Sequence, residues 1–302
     1  MLDVSHIPGS NNSTQTFYAG GTNRWQTWQK PRGAKFIQLF CVGAGGGGGG
    51  GRTNFAAGSG GGGGAGGGVT KLIIPALLIP DTLYIQIGVG GAGGANGGTG
   101  VTGGVGGISY ISLAPTTTAA NVLLASSTST AGGGTGGALG AANGGAAATV
   151  FTSAAGVFSS LGIFTATAGP VGSNSGAGST GAPGINLTAL ASSITSGGAG
   201  GGGIATSPGQ GGSIFGASVF LTSTIVGAVT GSTPTKGQDG YTIFSPTFCS
   251  TGGAGGTSGT NLAAASGGAG GIGSGGGGAG GGTAPATGGN GGNGLVIITT
   301  IF

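Results

Sequence analysis

Glycine recurs at every third position over long stretches of this chain, and this period limits the structures that the chain can adopt. The longest unbroken series consists of Gly88, Gly91, Gly94, Gly97, Gly100, Gly103 and Gly106. Shorter series with the same spacing lie within residues 197–212, 267–276 and 288–294. Three residues per turn is the repeat of the polyproline II helix, which makes no internal hydrogen bonds. Glycine on each turn leaves one face without side chains, so neighbouring helices can approach and exchange backbone hydrogen bonds. The period therefore predicts packed polyproline II (polyglycine II) helices.

The glycine content also requires a compensating source of stability. Each glycine costs roughly 0.5–1 kcal/mol more backbone entropy on folding than alanine, and the chain has 85 of them. A net backbone hydrogen bond contributes about 1 kcal/mol, so a bundle that makes many of them can offset that cost. With 37% hydrophobic and 3% charged residues, the chain differs from disordered sequences. Collagen requires an unbroken repeat and abundant proline, whereas a flexible linker stays open for any single tract.

Segments rich in β-branched and aromatic residues, bounded by glycine, predict the strands. They are residues 35–42, 70–79, 82–87, 108–113, 121–125 and 295–302. Pro75 implies a sheet edge or a bend, and residues 149–170 and 213–250 are expected to form further strands or loops over the bundle. No helical periodicity is found. We expect an all-β fold, in which N-terminal strands and the C-terminal strand form a β-sandwich from which packed glycine tracts project. Two units are predicted, an N-terminal attachment segment (1–31) and a glycine-rich domain (32–302).

Side chains suited to catalysis or metal binding are scarce. General acid–base catalysis needs a positioned titratable group, and a zinc site needs three or four closely spaced ligands. The chain has no Glu, and its Asp, His and Cys residues are Asp3, Asp81, Asp239, His6, Cys41 and Cys249. Residues 88–93 match G-x-G-x-x-G, but neither the helix nor the acidic residue of a dinucleotide site follows. We expect no enzymatic activity, no cofactor and no metal, and we expect Cys41 to be a buried thiol rather than a disulfide partner of Cys249.

The charge distribution narrows the range of partners. The net charge is +4, and six of the seven basic residues lie within the first 71 positions, which we interpret as a solvated N-terminal region and not as a nucleic-acid site. Between residues 82 and 302 the only charged side chains are Lys236 and Asp239. No apolar run is long enough for a membrane span. Such a surface is expected to recognise partners by shape, aromatic contacts and neutral hydrogen bonds, without electrostatic steering.

The order of these features resembles a known family. In chain order the matching segments are WQKP (28–31), VGAGGGG (42–48), GVTKL (68–72), IQIGVGGAGG (85–94), GISY (107–110), LLA (123–125) and GGNGLVIIT (291–299). They resemble the glycine-rich domain of bacteriophage tail and tail-fibre proteins over about residues 25–302. The bundle is similar in kind to the polyglycine II sandwich of the adhesins at the long-tail-fibre tips of T-even-like phages, whose distal loops touch the host receptor. Unlike those adhesins, this chain is expected to frame its glycine tracts with strands at both ends, and we find no counterpart of their dedicated attachment domain beyond about the first 30 residues.

The resemblance implies a virion protein for host attachment, located on the tail or the particle surface. Its N-terminal region would dock onto other virion proteins, with Trp25 and Trp28 either docking or capping the sandwich, and its distal loops would meet a bacterial surface receptor. Receptor-contact candidates, which could equally pack a core, are Phe215, Phe220, Tyr241, Phe244 and Phe248. The main alternative is a purely structural virion protein, such as a decoration protein or a fibre segment; another is a cellular glycine-rich protein of a cell wall, a matrix or an ice-binding type. The bundle could close within one chain, whereas fibre proteins are commonly homotrimers.

Overall fold

The fold is built from short antiparallel strands and long glycine tracts. The computed structural model describes residues 12–22, 24–53, 59–138, 140, 142–152, 163–176, 194–203, 209–214, 226–227, 234–244, 248–259, 264–283 and 286–302. The strands are β1 (Ser13–Tyr18), β2 (Trp25–Gln29), β3 (Phe36–Val42), β4 (Val69–Pro75), β5 (Thr82–Gln86), β6 (Tyr110–Ser112), β7 (Val122–Ala125), β8 (Ile163–Thr167), β9 (Thr242–Ile243), β10 (Cys249–Ser250) and β11 (Leu295–Ile301). One 3-10 turn, Ala76–Leu78, is the only helical element of the described residues. The predicted all-β class is confirmed.

The strands form two larger sheets and one short hairpin. The five-stranded sheet has the order β1-β11-β3-β4-β8, the four-stranded sheet has the order β2-β5-β6-β7, and β9 pairs with β10. All strand pairs are antiparallel. Each larger sheet takes a strand from either side of residue 31, because β1 pairs with β11 and β2 pairs with β5. The C-terminal strand lies near the centre of its sheet, as expected of a core strand.

The main hydrophobic core lies between the two larger sheets. Alternate residues of β3, namely Ile37, Leu39 and Cys41, are fully buried in it, as expected from the two-residue period of a strand. The four-stranded sheet contributes buried side chains from each of its strands: Trp28, Leu83, Ile85, Ile111 and Leu124. The predicted β-sandwich is therefore confirmed.

The predicted strand 70–79 is four residues too long, and the reason is Pro75. Strand β4 ends at Pro75, which has no N–H to continue the ladder, and the 3-10 turn Ala76–Leu78 follows directly. Lys30 fixes this turn by donating from Nζ to the carbonyls of Ala76 (3.1 Å) and Ile79 (2.8 Å). Among the described residues, Pro75 has a partner on one side only, because it pairs with Phe36 of β3 whereas β8 pairs with β4 only as far as Ile73. The proline therefore lies at a locally unpaired edge, directly before the turn.

Glycine tract 43–52 shows how the bundle is held together. Three consecutive residues donate to three different tracts: Gly46 N–H to Ala65 O (2.8 Å), Gly47 N–H to Gly104 O (2.9 Å) and Gly48 N–H to Gly289 O (2.9 Å). Their carbonyls accept from three further tracts: Gly46 O from Gly276 N–H (2.9 Å), Gly47 O from Gly134 N–H (2.9 Å) and Gly48 O from Gly94 N–H (2.8 Å). The pattern repeats every third residue, as a helix with three residues per turn requires. Tract 43–52 therefore has six neighbours in a hexagonal arrangement.

Two further tracts are enclosed in the same way. Tract 59–68 and tract 273–282 each exchange backbone hydrogen bonds with six neighbouring tracts, and both of them contact tract 43–52. A β carbon at most glycines of these tracts would overlap the backbone of a neighbour. The bundle interior is thus close-packed backbone, and glycine is required there because a side chain has no space.

The longest glycine series does not form one helix, contrary to what its unbroken period suggests. The chain reverses at residues 97–99, so tract 87–97 runs away from the sheets and tract 99–107 returns beside it. The pairing is antiparallel: Val101 N–H donates to Ala95 O, Gly104 N–H to Ala92 O and Gly107 N–H to Val89 O. The three-residue period continues across the reversal because both tracts need glycine at the same spacing.

Buried hydroxyl groups join the sandwich to the bundle. Ser109 Oγ donates to Val42 O (2.7 Å) and accepts from the N–H of Gly88 (3.0 Å), so it links the end of β3 to the start of a glycine tract. Ser126 Oγ accepts from the N–H of Ser109 (3.1 Å), and Thr70 Oγ1 donates to the carbonyl of Ala125 (3.0 Å). These bonds satisfy backbone groups where the strand ladders give way to the bundle, as buried polar groups require.

Candidate functional site

Many of the chain reversals lie at the end of the bundle away from the sheets, which we call the distal end. Tract 43–52 leaves β3 and tract 59–68 returns to β4, so the chain reverses between residues 52 and 59. A further reversal lies there at residues 97–99, and other described tracts end at this end of the bundle at residues 138, 203, 259 and 282 and start back from it at residues 142, 209, 264 and 286. Arg52 ties several of them together, because its Nε donates to Gly98 O (3.0 Å) and its carbonyl accepts from Gly282 N–H (3.1 Å).

A groove of about 640 Å³ runs along the side of the bundle, and we call it the tyrosine groove. Its floor is the tract 290–294, its sides are residues 89–92, 240–242 and 270–272, and the side chains of Tyr18 and Tyr241 line it. No charged side chain lines it. Asparagine side chains fill the space on one side: Asn293 Oδ1 accepts from the N–H of Gly90 (2.9 Å), and Asn290 Oδ1 accepts from the N–H of Gly93 (2.8 Å).

A second groove, of about 490 Å³, lies on the other side of the same glycine tract. Residues 86–92 line it together with Val105 and Tyr110. Burial raises the pKa of Tyr110, and a negative charge on Cys41 would raise it further. The phenol is therefore neutral at physiological pH. Both grooves present neutral side chains and backbone groups, a combination suited to uncharged ligands.

The three predicted receptor-contact residues that the structure describes occupy two different places. Tyr241 lines the tyrosine groove. Phe244 is 49% exposed, and its ring centroid lies 5.7 Å from that of Phe248, which in turn lies 5.5 Å from that of Phe40. Phe248 is partly buried against the outer face of the five-stranded sheet, where Phe40 belongs to a second hydrophobic cluster.

The remaining candidates do not extend this set. Phe215 and Phe220 lie outside the described residues. Tyr18, which sequence reasoning did not select, is the tyrosine that joins Tyr241 in lining the groove. Its position at the end of an edge strand could not be read from the sequence, because β1 was not predicted as a strand.

The two tryptophans of β2 have different environments. Trp28 is 1% exposed and packs in the main core between the two sheets. Trp25 is half-buried and pairs with Gln86 of β5. Docking onto a partner stays a prediction, and of the two side chains Trp25 is the one that is accessible.

The acidic residues are engaged separately. Asp81 pairs with Lys30 (2.9 Å) beside the 3-10 turn, and Asp239 pairs with Lys236 (2.9 Å) in the bundle. Burial raises the pKa of Asp239, but hydrogen bonds from Lys236 and from the N–H of Ala269 outweigh this and lower it. Asp3 and His6 lie outside the described residues. Among the described ranges, no three His, Cys, Asp or Glu side chains come together as metal ligands, and no helix is long and apolar enough to cross a membrane.

Both cysteines are expected to be unreactive in the folded protein. Cys41 and Cys249 are buried free thiols; burial raises the pKa of each, against smaller opposing hydrogen bonds involving Thr70 and Ser250. Because the thiolate is the reactive species, alkylation by iodoacetamide at pH 8 should be at least about tenfold slower in native protein than in denaturant. Mass spectrometry after timed quenching measures both rates. Equal rates for either cysteine in the two conditions would contradict this expectation.

Comparison with known proteins agrees with this architecture. A family model described as a glycine-rich domain matches residues 16–300, and no characterised protein gives a significant match to the chain. The match begins within β1 and ends within β11, and it includes β2, the other strands of both sheets and the glycine bundle. The expected resemblance is confirmed at the level of the glycine-rich domain. The chain belongs to the glycine-rich domain family.

Proposed function

We propose that this chain is a non-enzymatic bacteriophage virion protein, a tail or tail-fibre component that attaches the particle to its host. The observation that carries the proposal is the collection of chain reversals at the distal end of a bundle whose central tracts are hydrogen-bonded on all sides. Such a bundle fixes the ends of its tracts, and the segments that join them can vary in sequence without disturbing the interior. Loops on a rigid scaffold are the usual place for binding residues.

In this proposal the two ends of the molecule have different partners. The sandwich end, which contains β2 with Trp25, docks onto other tail or particle proteins. The distal turns, tied together through Arg52, contact a bacterial surface molecule. The described surface has few charges, so shape, aromatic side chains and neutral hydrogen bonds dominate both contacts. No nucleic acid, membrane insertion or cofactor is involved.

A purely structural role in the virion is the second candidate. The close-packed bundle favours it, because a scaffold that is stabilised by backbone hydrogen bonds serves equally well as a decoration protein or a fibre segment. In that case the chain would be present in many regularly spaced copies on the capsid or tail shaft, and its distal turns would contact only neighbouring copies.

Competition with infection tests the attachment role. Purified protein should reduce adsorption of the virion that carries this chain to its host cells. An eight-residue insertion after Gly98, where an added β carbon meets open space, should abolish that competition. The same insertion after Leu77, which is 93% exposed at the sandwich end, should leave it intact.

Antibody labelling of virions separates the two candidates. Label at a fibre tip or baseplate together with competition supports attachment. Evenly spaced label along the capsid or tail shaft, without competition by the unmodified protein, supports the structural role. Absence of the chain from any virion would overturn both.

A further inference from the structure

The tyrosine groove lies where the hexagonal bundle is open on one side. Its floor, residues 290–294, belongs to tract 286–294, called the floor tract below. This tract exchanges hydrogen bonds with tracts 43–52, 87–97, 264–271 and 273–282, whereas a central tract has six such neighbours. Two sides of the floor tract therefore face outward. A helix with three residues per turn directs its N–H groups in three directions, so the bonds that are made reveal where the remaining groups point.

The floor tract directs one set of amides into the groove. Its first set, at Gly288, Gly291 and Gly294, donates to tract 87–97, and its second set, at Gly289 and Gly292, donates to tract 273–282. The third set consists of the N–H groups of Thr287, Asn290 and Asn293, and that of Thr287 donates to Ser266 Oγ (3.3 Å). Within the part of the chain that the structure describes, the N–H groups of Asn290 and Asn293 have no hydrogen-bond partner. They lie one turn apart, or about 9 Å along the helix axis.

The adjacent tract 264–271 supplies acceptors that face the same position. Its carbonyls at Ala265 and Gly268 accept from tract 273–282, and those at Ser266 and Ala269 accept from tract 235–240. The third set of this tract includes the carbonyl of Gly270, which lies beside Asn290 because Gly270 N–H donates to Asn290 O (2.8 Å). By the same three-fold geometry, this carbonyl points toward the outer side of the floor tract. The N–H groups of Asn290 and Asn293 and the carbonyl of Gly270 therefore point toward the same position, beside the floor tract. Donors and acceptors surround an enclosed tract in the same way.

Side chains cap comparable outward-facing amides on both sides of the groove, and Ser266 caps Thr287 beyond its end, but the amides of Asn290 and Asn293 within the groove stay uncovered. Gly90 and Gly93 donate to asparagine side chains, as described above, and Ile272 N–H donates to Thr242 Oγ1 (2.9 Å). Asn290 and Asn293 direct their side-chain oxygens toward tract 87–97 and not over their own amides. The capped amides on both sides cannot bind a further helix. Between them, the position above Asn290 and Asn293 presents the donors and the acceptor that an additional helix of the bundle would use.

We propose that the tyrosine groove binds an uncharged segment of a partner protein in the polyproline II conformation, with glycine at every third residue. The glycines would face the floor, where the segment accepts from the amides of Asn290 and Asn293 and donates to the carbonyl of Gly270. Tyr18, which is 54% exposed, and Tyr241 pack against the segment, as aromatic side chains do in grooves that bind polyproline II peptides. This inference is independent of the proposed role in attachment.

Titration with a synthetic peptide tests the proposal. The probe is acetyl-(Gly-Ala-Pro)4-amide, and the control peptide has sarcosine in place of each glycine, which removes the donors that Gly270 needs. Nuclear magnetic resonance of 15N-labelled protein should show saturable shifts of the Asn290 and Asn293 amides with the first peptide. With the sarcosine peptide the affinity should be at least about tenfold lower, because hydrogen bonds are lost.

A pair of variants locates the site. Tyr18→Ala, at the exposed end of an edge strand, should weaken binding at least about fivefold. Tyr84→Ala, a matched change in β5 outside the groove, should leave binding unchanged. The comparison of peptides on the unmodified protein keeps the proposal testable if either variant fails to fold. The absence of saturable shifts up to about 1 mM peptide would overturn it. Saturation of the groove by maltohexaose without peptide binding, or by self-association of the protein, would also overturn it.

Discussion

Replacing Gly48 by alanine is expected to lower the free energy of unfolding by about 3 kcal/mol or more, a large effect for one methyl group. The added β carbon would lie 2.5 Å from the carbonyl carbon of Gly277 and 2.9 Å from the backbone nitrogen of Gly278. Gly48 cannot move away, because it donates to Gly289 and accepts from Gly94 on its other sides. Overlap with backbone atoms cannot be relieved by a change of rotamer, so neighbouring tracts must separate and lose hydrogen bonds.

Guanidinium denaturation followed by tryptophan fluorescence measures this loss, since Trp28 changes from buried to exposed on unfolding. Gly98→Ala is the matched control, because its β carbon would meet nothing within 4 Å, and we expect a change within about 0.5 kcal/mol. Equal stability of the Gly48→Ala protein and the unmodified protein would show that the bundle is not packed as described.

Replacing Trp28 by alanine is expected to cost about 3–5 kcal/mol, the range for deleting a large buried aromatic side chain. Trp28 is 1% exposed and packs in the core between the two sheets. Its removal leaves a cavity beneath β2, which is the edge strand of the four-stranded sheet. Denaturation followed by circular dichroism measures the change independently of the lost fluorophore.

Trp25→Ala serves as the control, since Trp25 is half-buried in the same strand, and we expect at most about 1.5 kcal/mol. An effect of Trp25→Ala as large as that of Trp28→Ala would contradict the assignment of Trp28 to the core.

The difference in stability between the two variants also decides how docking onto a particle is tested. Loss of incorporation with Trp28→Ala would report unfolding, so Trp25→Ala in a protein of near-normal stability is the informative variant.

The strands that the sequence predicts are those whose side chains are buried. Strands β3 and β11 are buried over most of their length and stand out as apolar runs between glycines. Strands β1 and β2 were not predicted. The sequence of β1, STQTFY, is mostly polar and exposed, and that of β2, WQTWQ, combines two tryptophans with polar residues and has only Trp28 fully buried. Both are edge strands, which bury few side chains and are held by their hydrogen-bond partners. Pairing of this kind has little sequence signal.

The bundle itself was predictable from the three-residue period, whereas its topology was not. Glycines at 97 and 100 continue the series through the reversal at residues 97–99, so the period carries no mark of the turn. Which tracts become neighbours depends on backbone groups that are chemically identical from one glycine to the next. The order of the tracts is fixed by the strands at their ends, such as β3 before tract 43–52 and β4 after tract 59–68.

The candidate site was predicted only in part for the same reason. Tyr241 was selected as an exposed aromatic residue in a stretch with less glycine, and it lines the tyrosine groove. The floor of the groove consists of backbone from a glycine tract, and its other tyrosine comes from an unpredicted strand. A site built from main-chain donors and acceptors becomes visible only when the neighbours of each tract are known.

The three-fold rotation of hydrogen bonds along each tract also governs how such a protein can change in length. Insertion of one residue into tract 43–52 would turn every following amide by about 120° and direct it to the wrong neighbour. Insertion of three residues restores the pattern and extends the tract by about 9 Å. Related chains should therefore differ in bundle length by whole turns, with compensating additions in the tracts that flank each one. The distance between the sandwich and the distal end can therefore change only in discrete steps, each of one helical turn or three residues.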